Sequence, residues 1–287
     1  MLPTLAGMAI VLLATWMGAR NGGYFVEDWA LATFALAGVA LVMAAVGRFG
    51  GAQSWQAIAA TGLFAAFTVW TFASVLWSPN RGEAWIGAGQ TLLYLLAFWV
   101  PLSLLTSGAS RRWILVASAL GPAGVSLFTL MTITSRVDDL FVNNRFFGSV
   151  GYYNGEAAFV LVPFWVSIYL GGSRRVHPIL RGLALGGAVL GVGIAVLTQS
   201  RGAMVAMGAS LPFFFAFSGQ RLRGLLALAP VVVALLLSFD ELNGVYRAFV
   251  AGDSAETALS LALPILWRSA TAAAVYGLLW GVIDGFW

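Results

Sequence analysis

Residues 181–198 read RGLALGGAVLGVGIAVLT, and they decide the fold class because Arg181 is their only charged residue. The stretch approaches the ~20 mostly apolar residues that a helix needs to cross the hydrocarbon core of a bilayer. Its apolar residues are continuous and rich in Ala, Gly and Leu, whereas a membrane strand alternates polar and apolar positions over about ten residues. The pattern therefore predicts a transmembrane helix.

The rest of the chain has the same character. Of its 287 residues, 60% are hydrophobic and 9% are charged, against roughly 25% charged residues in soluble domains. We expect an all-α, polytopic transmembrane helical bundle of about ten spans, forming a single domain over residues 1–287. The predicted spans are Pro3–Ala19, Trp29–Gly47, Gln56–Trp77, Ala88–Thr106, Trp113–Ile133, Gly155–Gly171, Arg181–Thr198, Ala203–Ser218, Leu225–Phe239 and about Leu261–Ile283.

The placement of arginine predicts the orientation of these spans. Basic residues concentrate in the cytoplasmic loops of membrane proteins. The loops after the even-numbered spans contain arginine and no acidic residue. All the acidic residues lie in loops after odd-numbered spans, except Glu156 at the start of the sixth span and Asp284 after the last span. We therefore expect the even loops and both termini on the cytoplasmic side. The inner arginines are Arg48, Arg111, Arg112, Arg174, Arg175, Arg221 and Arg223.

The two longest predicted outer loops are Thr134–Asn154 and Asp240–Ser260, and functional residues are expected there rather than in the short inner turns. In the second loop, Asp253 followed by Glu256 resembles a capping box. It predicts a helix that begins there and runs through Pro264 into the last span.

Composition argues against several classes of function. Without Cys, the chain has no disulfide or thiolate chemistry, and one His leaves little room for a His-built metal site. Its arginines form no basic stripe of the kind that binds nucleic acid. We expect no metal, no cofactor and no nucleic-acid partner; membrane lipids are the expected surroundings.

Arg201 is the most informative residue. It lies in a short predicted outer turn, Thr198-Gln199-Ser200-Arg201-Gly202, so its guanidinium is expected at the membrane surface. Holding a charge at the centre of the membrane costs about 2.5–3.5 kcal/mol unless it is paired or faces water. Two interpretations are open: contact with an anion such as a lipid phosphate, or simple extension of the side chain to the interface.

The segment from Arg145 to Glu156, RFFGSVGYYNGE, is the second candidate. Its glycines permit close approach of the backbone to a ligand, and Arg145, Tyr153 and Asn154 offer donors and a surface for sugar stacking. Glu156 could act as a general acid or base, although an acid at the start of a helix more often interacts with the helix dipole. We expect the segment to be a binding loop.

Other polar residues give weaker signals. Arg81 lies in an outer turn after Ser78-Pro79, where a solvated interfacial charge is the simpler interpretation. Adjacent Asp138 and Asp139 could hold a divalent cation, but mainly indicate a solvated loop. His177 is expected in an inner loop at the interface.

Three patches together resemble the O-antigen ligase and O-antigen polymerase-like family of bacterial membrane proteins. They are Trp77-Ser78-Pro79 followed by residues 89–98, GQTLLYLLAF; Arg145-x-x-Gly148 followed by Asn154-x-x-Ala157; and Ser200-Arg201-Gly202. Their order, spacing and shared outer position carry the resemblance, which covers most of this chain but only the N-terminal part of a family member.

The resemblance implies a function at the outer face of the bacterial plasma membrane. Such proteins transfer a glycan from an undecaprenyl-pyrophosphate carrier to an acceptor without a metal, and arginines hold the pyrophosphate. By this resemblance Arg201 would contact the pyrophosphate, with Arg145 and Asn154 near the donor pocket. An arginine clamp could stabilise charge on the leaving pyrophosphate as a metal does elsewhere. The substrate-binding candidates are Arg201, Arg145, Asn154, Ser200, Tyr153 and Arg81.

One departure from the family pattern concerns the catalytic base. Family members carry a catalytic His in a large late outer loop that is followed by further spans, and Asp240–Ser260 contains no His. Glu156 and Glu256 are the candidate replacements. We expect a fragment, the first half of a split gene or a non-catalytic relative, with a second chain supplying the missing loop.

Two other classes of function are open. A transporter or flippase of lipid-linked sugars or small solutes would carry charges near mid-span, and Arg268 is the one such charge that the loops do not explain. A non-catalytic scaffold subunit would complete its site with a partner chain.

Overall fold

The computed structural model describes residues 2–45, 54–104 and 108–285. It is 85% helical, which confirms the all-α class. The chain forms two compact units, Met1–Ile114 and Leu115–Trp287, called here the N-terminal and C-terminal units.

The N-terminal unit is built from long apolar helices. Its core joins Trp29 and Leu36 to Leu93, Val100 and Ile10, so three helices share one set of buried side chains. The helices are α1 (Leu2–Gly18), α2 (Val26–Ala45), α3 (Trp55–Ser74), α4 (Arg81–Leu104) and the start of α5 (Gly108–Thr132), with a 3-10 turn at Asn21–Gly23.

The C-terminal unit is organised around one buried helix, α9 (Pro178–Leu197), which contacts α7, α8, α11 and α12. Of its 20 residues, 15 are buried within the protein. The other elements are a 3-10 turn (Ile133–Ser135), α6 (Val137–Leu140), β1 (Phe141–Val142), β2 (Arg145–Phe146), α7 (Tyr153–Leu161), α8 (Phe164–Gly172), α10 (Arg201–Phe217), α11 (Arg221–Ala251) and α12 (Ala255–Gly285).

Close contact between α9 and α12 depends on glycines. A Cβ added to Gly182 would lie 2.5 Å from the carbonyl oxygen of Ala274, and one added to Gly277 would lie 3.0 Å from Gly182 Cα. Each helix has a second glycine four residues further on, Gly186 and Gly281. Small residues with this spacing let membrane helices pack backbone to backbone, and here the close contact lies in the N-terminal half of α9.

Eight helices of the described part are long and apolar enough to cross a membrane, and two shorter apolar helices, Thr4–Gly18 and Arg201–Phe217, match the first and eighth predicted spans. Helical segments therefore underlie the described part of each predicted span, which supports a multi-pass membrane protein. Three predicted positions lie outside the described residues: the inner arginine Arg48 and the span ends Gly47 and Thr106.

The prediction of a long outer loop at Asp240–Ser260 is wrong. The α11 helix continues to Ala251 and is stopped by Gly252, whose φ is +75°. The apolar run ends at Asp240, but Leu242 and Val245 preserve the helical spacing and are fully buried. The next helix begins near the predicted position, and its cap is Ser254, whose Oγ accepts from the amide of Thr257 at 3.3 Å, rather than Asp253.

Two further differences concern the predicted segment 134–171. The sixth span is not one continuous helix, because α7 ends at Leu161 and α8 begins at Phe164, with Pro163 between them. The loop before it is also folded: β1 and β2 form a small antiparallel hairpin that the apolar periodicity did not predict.

Candidate functional site

The hairpin places Arg145 at the edge of the candidate site. Its turn consists of Asn143 and Asn144, with φ values of +52° and +64°. Asn tolerates this left-handed conformation, and two such residues in succession suit the tight turns that match the twist of the strands. Val142 pairs with Arg145 in the hairpin, so the arginine side chain projects from a fixed position.

Arg145 joins the loop to the turn between α9 and α10. Its Nε donates to the carbonyl oxygen of Thr198 and its Nη2 to that of Gln199, both at 3.0 Å. Its Cζ lies 3.6 Å from the centre of the Tyr153 ring, which is a close cation–π contact. Two regions about 50 residues apart in the sequence are thereby held together.

The α9–α10 turn has a constrained backbone. Gln199 is a non-glycine residue with φ +52°, a conformation that costs of order 1–3 kcal/mol and persists where its surroundings hold it. The Gln199 side chain donates to Val196 O at 3.0 Å and to Asn243 Oδ1 of α11 at 3.1 Å. Arg145, Val196 and Asn243 therefore hold this residue in place.

Ser200 connects the turn to α7. It is the N-cap of α10, where its Oγ accepts from the amide of Ala203 at 3.4 Å. The same hydroxyl donates to Asn154 Oδ1 at 2.9 Å, and Asn154 Nδ2 donates to the Tyr152 hydroxyl at 2.7 Å. Because Tyr152 and Asn154 are exposed while Ser200 is buried, this chain of bonds leads from the interior to a polar aromatic surface.

Arg201 is the first residue of α10 and is exposed. Within the described residues, its guanidinium has no hydrogen-bond or ion-pair partner. The first turn of α10 holds no acidic residue, so the positive end of the helix dipole adds to this charge. This end of α10 is therefore suited to bind an anion.

Glu156 is not accessible to a substrate as a general acid or base. Its side chain is fully buried, and Oε2 accepts from the amide of Val150 at 2.9 Å. Gly148, with φ +69°, leaves no room for a Cβ because the Glu156 carboxyl group fills that space. Glu156 thus anchors loop 148–151 from below, whereas Glu256 is exposed in the first turn of α12.

The remaining predicted residues lie apart from this group. Arg81 is exposed as the first residue of α4 in the N-terminal unit. The carboxylate of Asp139 pairs with Arg136 at 3.6 Å, and His177 caps α9, its Nδ1 accepting from Ile179 N at 3.3 Å. In the described part of the chain, no three His, Cys, Asp or Glu residues lie together as a metal site.

The structure thus brings together four predicted residues as two contacting pairs, Arg145 with Tyr153 and Asn154 with Ser200, and Arg201 follows Ser200 in the chain. The sequence interpretation missed Gln199 and Asn243, whose pairing crosses from the α9–α10 turn to α11. Comparison with protein-family models, with curated proteins and with solved structures found no match.

Proposed function

We propose that the chain is a membrane protein of the O-antigen ligase or polymerase type, which binds an undecaprenyl-pyrophosphate-linked glycan at the outer face of a bacterial plasma membrane. The observation that carries the proposal is the hydrogen-bonded contact between the Arg145–Asn154 segment and the Ser200–Arg201 turn. The two segments are two of the three patches that carry the family resemblance. The resemblance implies that both serve one donor site.

In this proposal Arg201 contacts the pyrophosphate. Its guanidinium is exposed and has no partner among the described residues, and the planar fork of an arginine matches two phosphate oxygens. The N-terminus of α10 adds backbone amides and a positive dipole end. During transfer the bond between the sugar and the pyrophosphate breaks, and Arg201 stabilises the negative charge that the pyrophosphate takes with it.

Arg145 acts indirectly in this scheme. Its Nε and Nη2 donate to backbone carbonyls of the turn, so it positions the turn that carries Arg201. Tyr152, half exposed beside Asn154, offers an aromatic face and polar groups to the first sugar. Arg145 is thus a positioning residue, and the tyrosine–asparagine surface is the glycan contact.

Transfer also requires a group that accepts the proton of the attacking hydroxyl. Glu156 is buried beneath the loop and so does not reach a substrate at this surface. We attribute the base to a second chain whose outer loop completes the site, and we assign donor binding to the described residues.

The test is glycan transfer in cells whose own copy of the gene is replaced by a variant. We expect Arg201→Ala to abolish transfer with normal membrane insertion, because the charge facing the leaving group is lost. Arg247→Ala is the matched control, because it removes an exposed arginine that pairs with Asp240 at 2.9 Å. Arg247 lies on α11, the helix that contacts the turn through Asn243. Normal transfer by Arg201→Ala would contradict the proposal.

Transport of a lipid-linked sugar or small solute is the second candidate, favoured by Arg268. This residue lies near the middle of α12 and is exposed, without a hydrogen-bond or ion-pair partner among the described residues. A charge at mid-span is typical of transport pathways. Loss of lipid-linked glycan flipping in Arg268→Leu, measured in vesicles, would favour transport over transfer.

A further inference from the structure

The end of α9 opposite the candidate site carries arginines grouped around one carboxylate. The helix separates the two ends by about 30 Å. Asp284, near the end of α12, accepts from Arg174 Nε at 3.1 Å and from Arg181 Nη1 at 2.9 Å. Arg223 Nη1 also donates to it at 3.1 Å, and Nη2 makes a second contact. The carboxylate is therefore fully used by protein partners.

Positive charge exceeds negative charge at this end. Three arginines, Arg174, Arg181 and Arg223, share the single carboxylate of Asp284, and Arg175 follows Arg174 in the chain. The other acidic residues of the described C-terminal unit belong to α6, to the first turn of α7, to the second half of α11, to the α11–α12 connection and to the first turn of α12. Within the described residues, three arginines therefore pair with one carboxylate at this end, which leaves an excess of positive charge.

A cavity of about 280 Å³ opens within this group. It is lined by Tyr169, Ser173, Arg174, Arg175, Gln220 and Arg223. Three of these residues are arginines and none is acidic, so the cavity attracts anions. Gln220 adds a buried side-chain oxygen to which no group of the described residues donates, although buried polar atoms are normally paired. The cavity therefore offers cations for a phosphate and an acceptor for a hydroxyl or ammonium group.

The surface beside the cavity is apolar. Phe217 and Leu222, which flank Gln220 along the chain, are 83% and 70% exposed. Acyl chains cover such side chains in a bilayer, whereas a free phosphate gains nothing from them. The combination of a cationic cavity and an apolar rim at the end of membrane helices therefore favours a lipid over a soluble anion.

We propose that this cavity binds the phosphate headgroup of an anionic glycerophospholipid. Arg174, Arg175 and Arg223 contact the phosphate, and the Gln220 oxygen accepts from a headgroup hydroxyl of the kind that phosphatidylglycerol carries. The site is distinct from the candidate donor site at the other end of α9. By the arginine distribution it faces the cytoplasmic leaflet.

Native mass spectrometry of the purified full chain tests this site. The protein is presented with phosphatidylglycerol, with zwitterionic phosphatidylcholine or with inorganic phosphate alone, and bound molecules are counted after activation. We expect phosphatidylglycerol to be retained and the other two to be lost. In the double variant Arg174→Gln with Arg175→Gln, retention should fall roughly tenfold or more, because two cations that face the headgroup are removed.

The matched control is the double variant Arg221→Gln with Arg247→Gln, which removes the same charge from exposed positions that do not line the cavity. It should retain phosphatidylglycerol as the unaltered protein does. Equal loss in both double variants, equal retention in both, or retention of inorganic phosphate as firm as that of the lipid would each overturn the proposal. Far-ultraviolet circular dichroism verifies folding, and Gln220→Leu, which keeps every arginine, should weaken retention independently.

Discussion

Ser200 Oγ donates a hydrogen bond of 2.9 Å to Asn154 Oδ1, joining two residues 46 positions apart in the chain. The same hydroxyl caps α10 by accepting from Ala203 N. One side chain therefore fixes both the start of α10, which carries Arg201, and the start of α7, which carries the exposed asparagine. The candidate donor site depends on this junction.

Removal of the Ser200 hydroxyl should destabilise the junction. Ser200→Ala loses the cap of α10, which is worth about 0.5–2 kcal/mol, and the bond to Asn154. We expect a lower thermal midpoint in detergent and faster amide exchange at residues 200–203. Ser200→Thr keeps a hydroxyl and serves as the control; an equal loss of stability in both variants would show that the hydroxyl is not the cause.

Arg145 should matter more for structure than its partial exposure suggests. Arg145→Gln leaves the carbonyls of Thr198 and Gln199 without their donors, and each unsatisfied buried group costs about 1–3 kcal/mol. We expect increased hydrogen exchange in residues 143–154 and 198–201 together. Arg136→Gln removes an exposed arginine from the same loop and should change neither region; exchange confined to one region in Arg145→Gln would argue against the link.

Removal of the buried carboxylate of Asp284 should lower the stability of the protein more than removal of an exposed carboxylate. Asp284→Asn leaves the 2%-exposed side chain of Arg181 without its counter-ion, and breaking a buried pair in this way costs about 3–5 kcal/mol. Asp240→Asn breaks the exposed pair with Arg247, for which at most about 1 kcal/mol is expected. Thermal unfolding of the two variants should therefore differ clearly, and similar midpoints would contradict the assignment.

Backbone contact between α9 and α12 can be tested with one methyl group. Gly182→Ala places a Cβ against the carbonyl of Ala274, a neighbour that cannot rotate away, so α12 must shift. We expect a destabilisation of about 1–3 kcal/mol, as for other overpacked sites. Gly208→Ala in α10, where a Cβ meets nothing within 4 Å, should be neutral; an unchanged midpoint in Gly182→Ala would contradict the close approach.

The spans could be predicted because a continuous apolar run in a chain with so few charges suits only the bilayer core. The end of α11 could not, since Asp240 and Glu241 interrupt the apolar run while Leu242 and Val245 continue the helix and are buried. Hydropathy detects the part of a helix that lies in the apolar interior of the membrane. It gives no signal for a helix that extends beyond that interior.

The candidate site was predicted in part. Arg145 and Asn154 were selected from one patch and Ser200 from another, and the resemblance alone suggested that the two patches belong together. The hydrogen-bond partners of Arg145 are backbone carbonyls. Every residue type has a backbone carbonyl, so these bonds cannot be predicted from the sequence. A signal for the hairpin did exist in Asn143-Asn144, because Asn favours left-handed turn positions.

Binding of undecaprenyl pyrophosphate to the purified chain, measured by microscale thermophoresis, tests the central claim most directly. We expect Arg201→Ala to weaken binding by about ten- to a hundredfold, the loss of one charge-assisted contact, while Arg247→Ala binds as the unaltered protein does. Equal affinity of Arg201→Ala and the unaltered protein would contradict the account and leave Arg201 as an interfacial charge without a ligand.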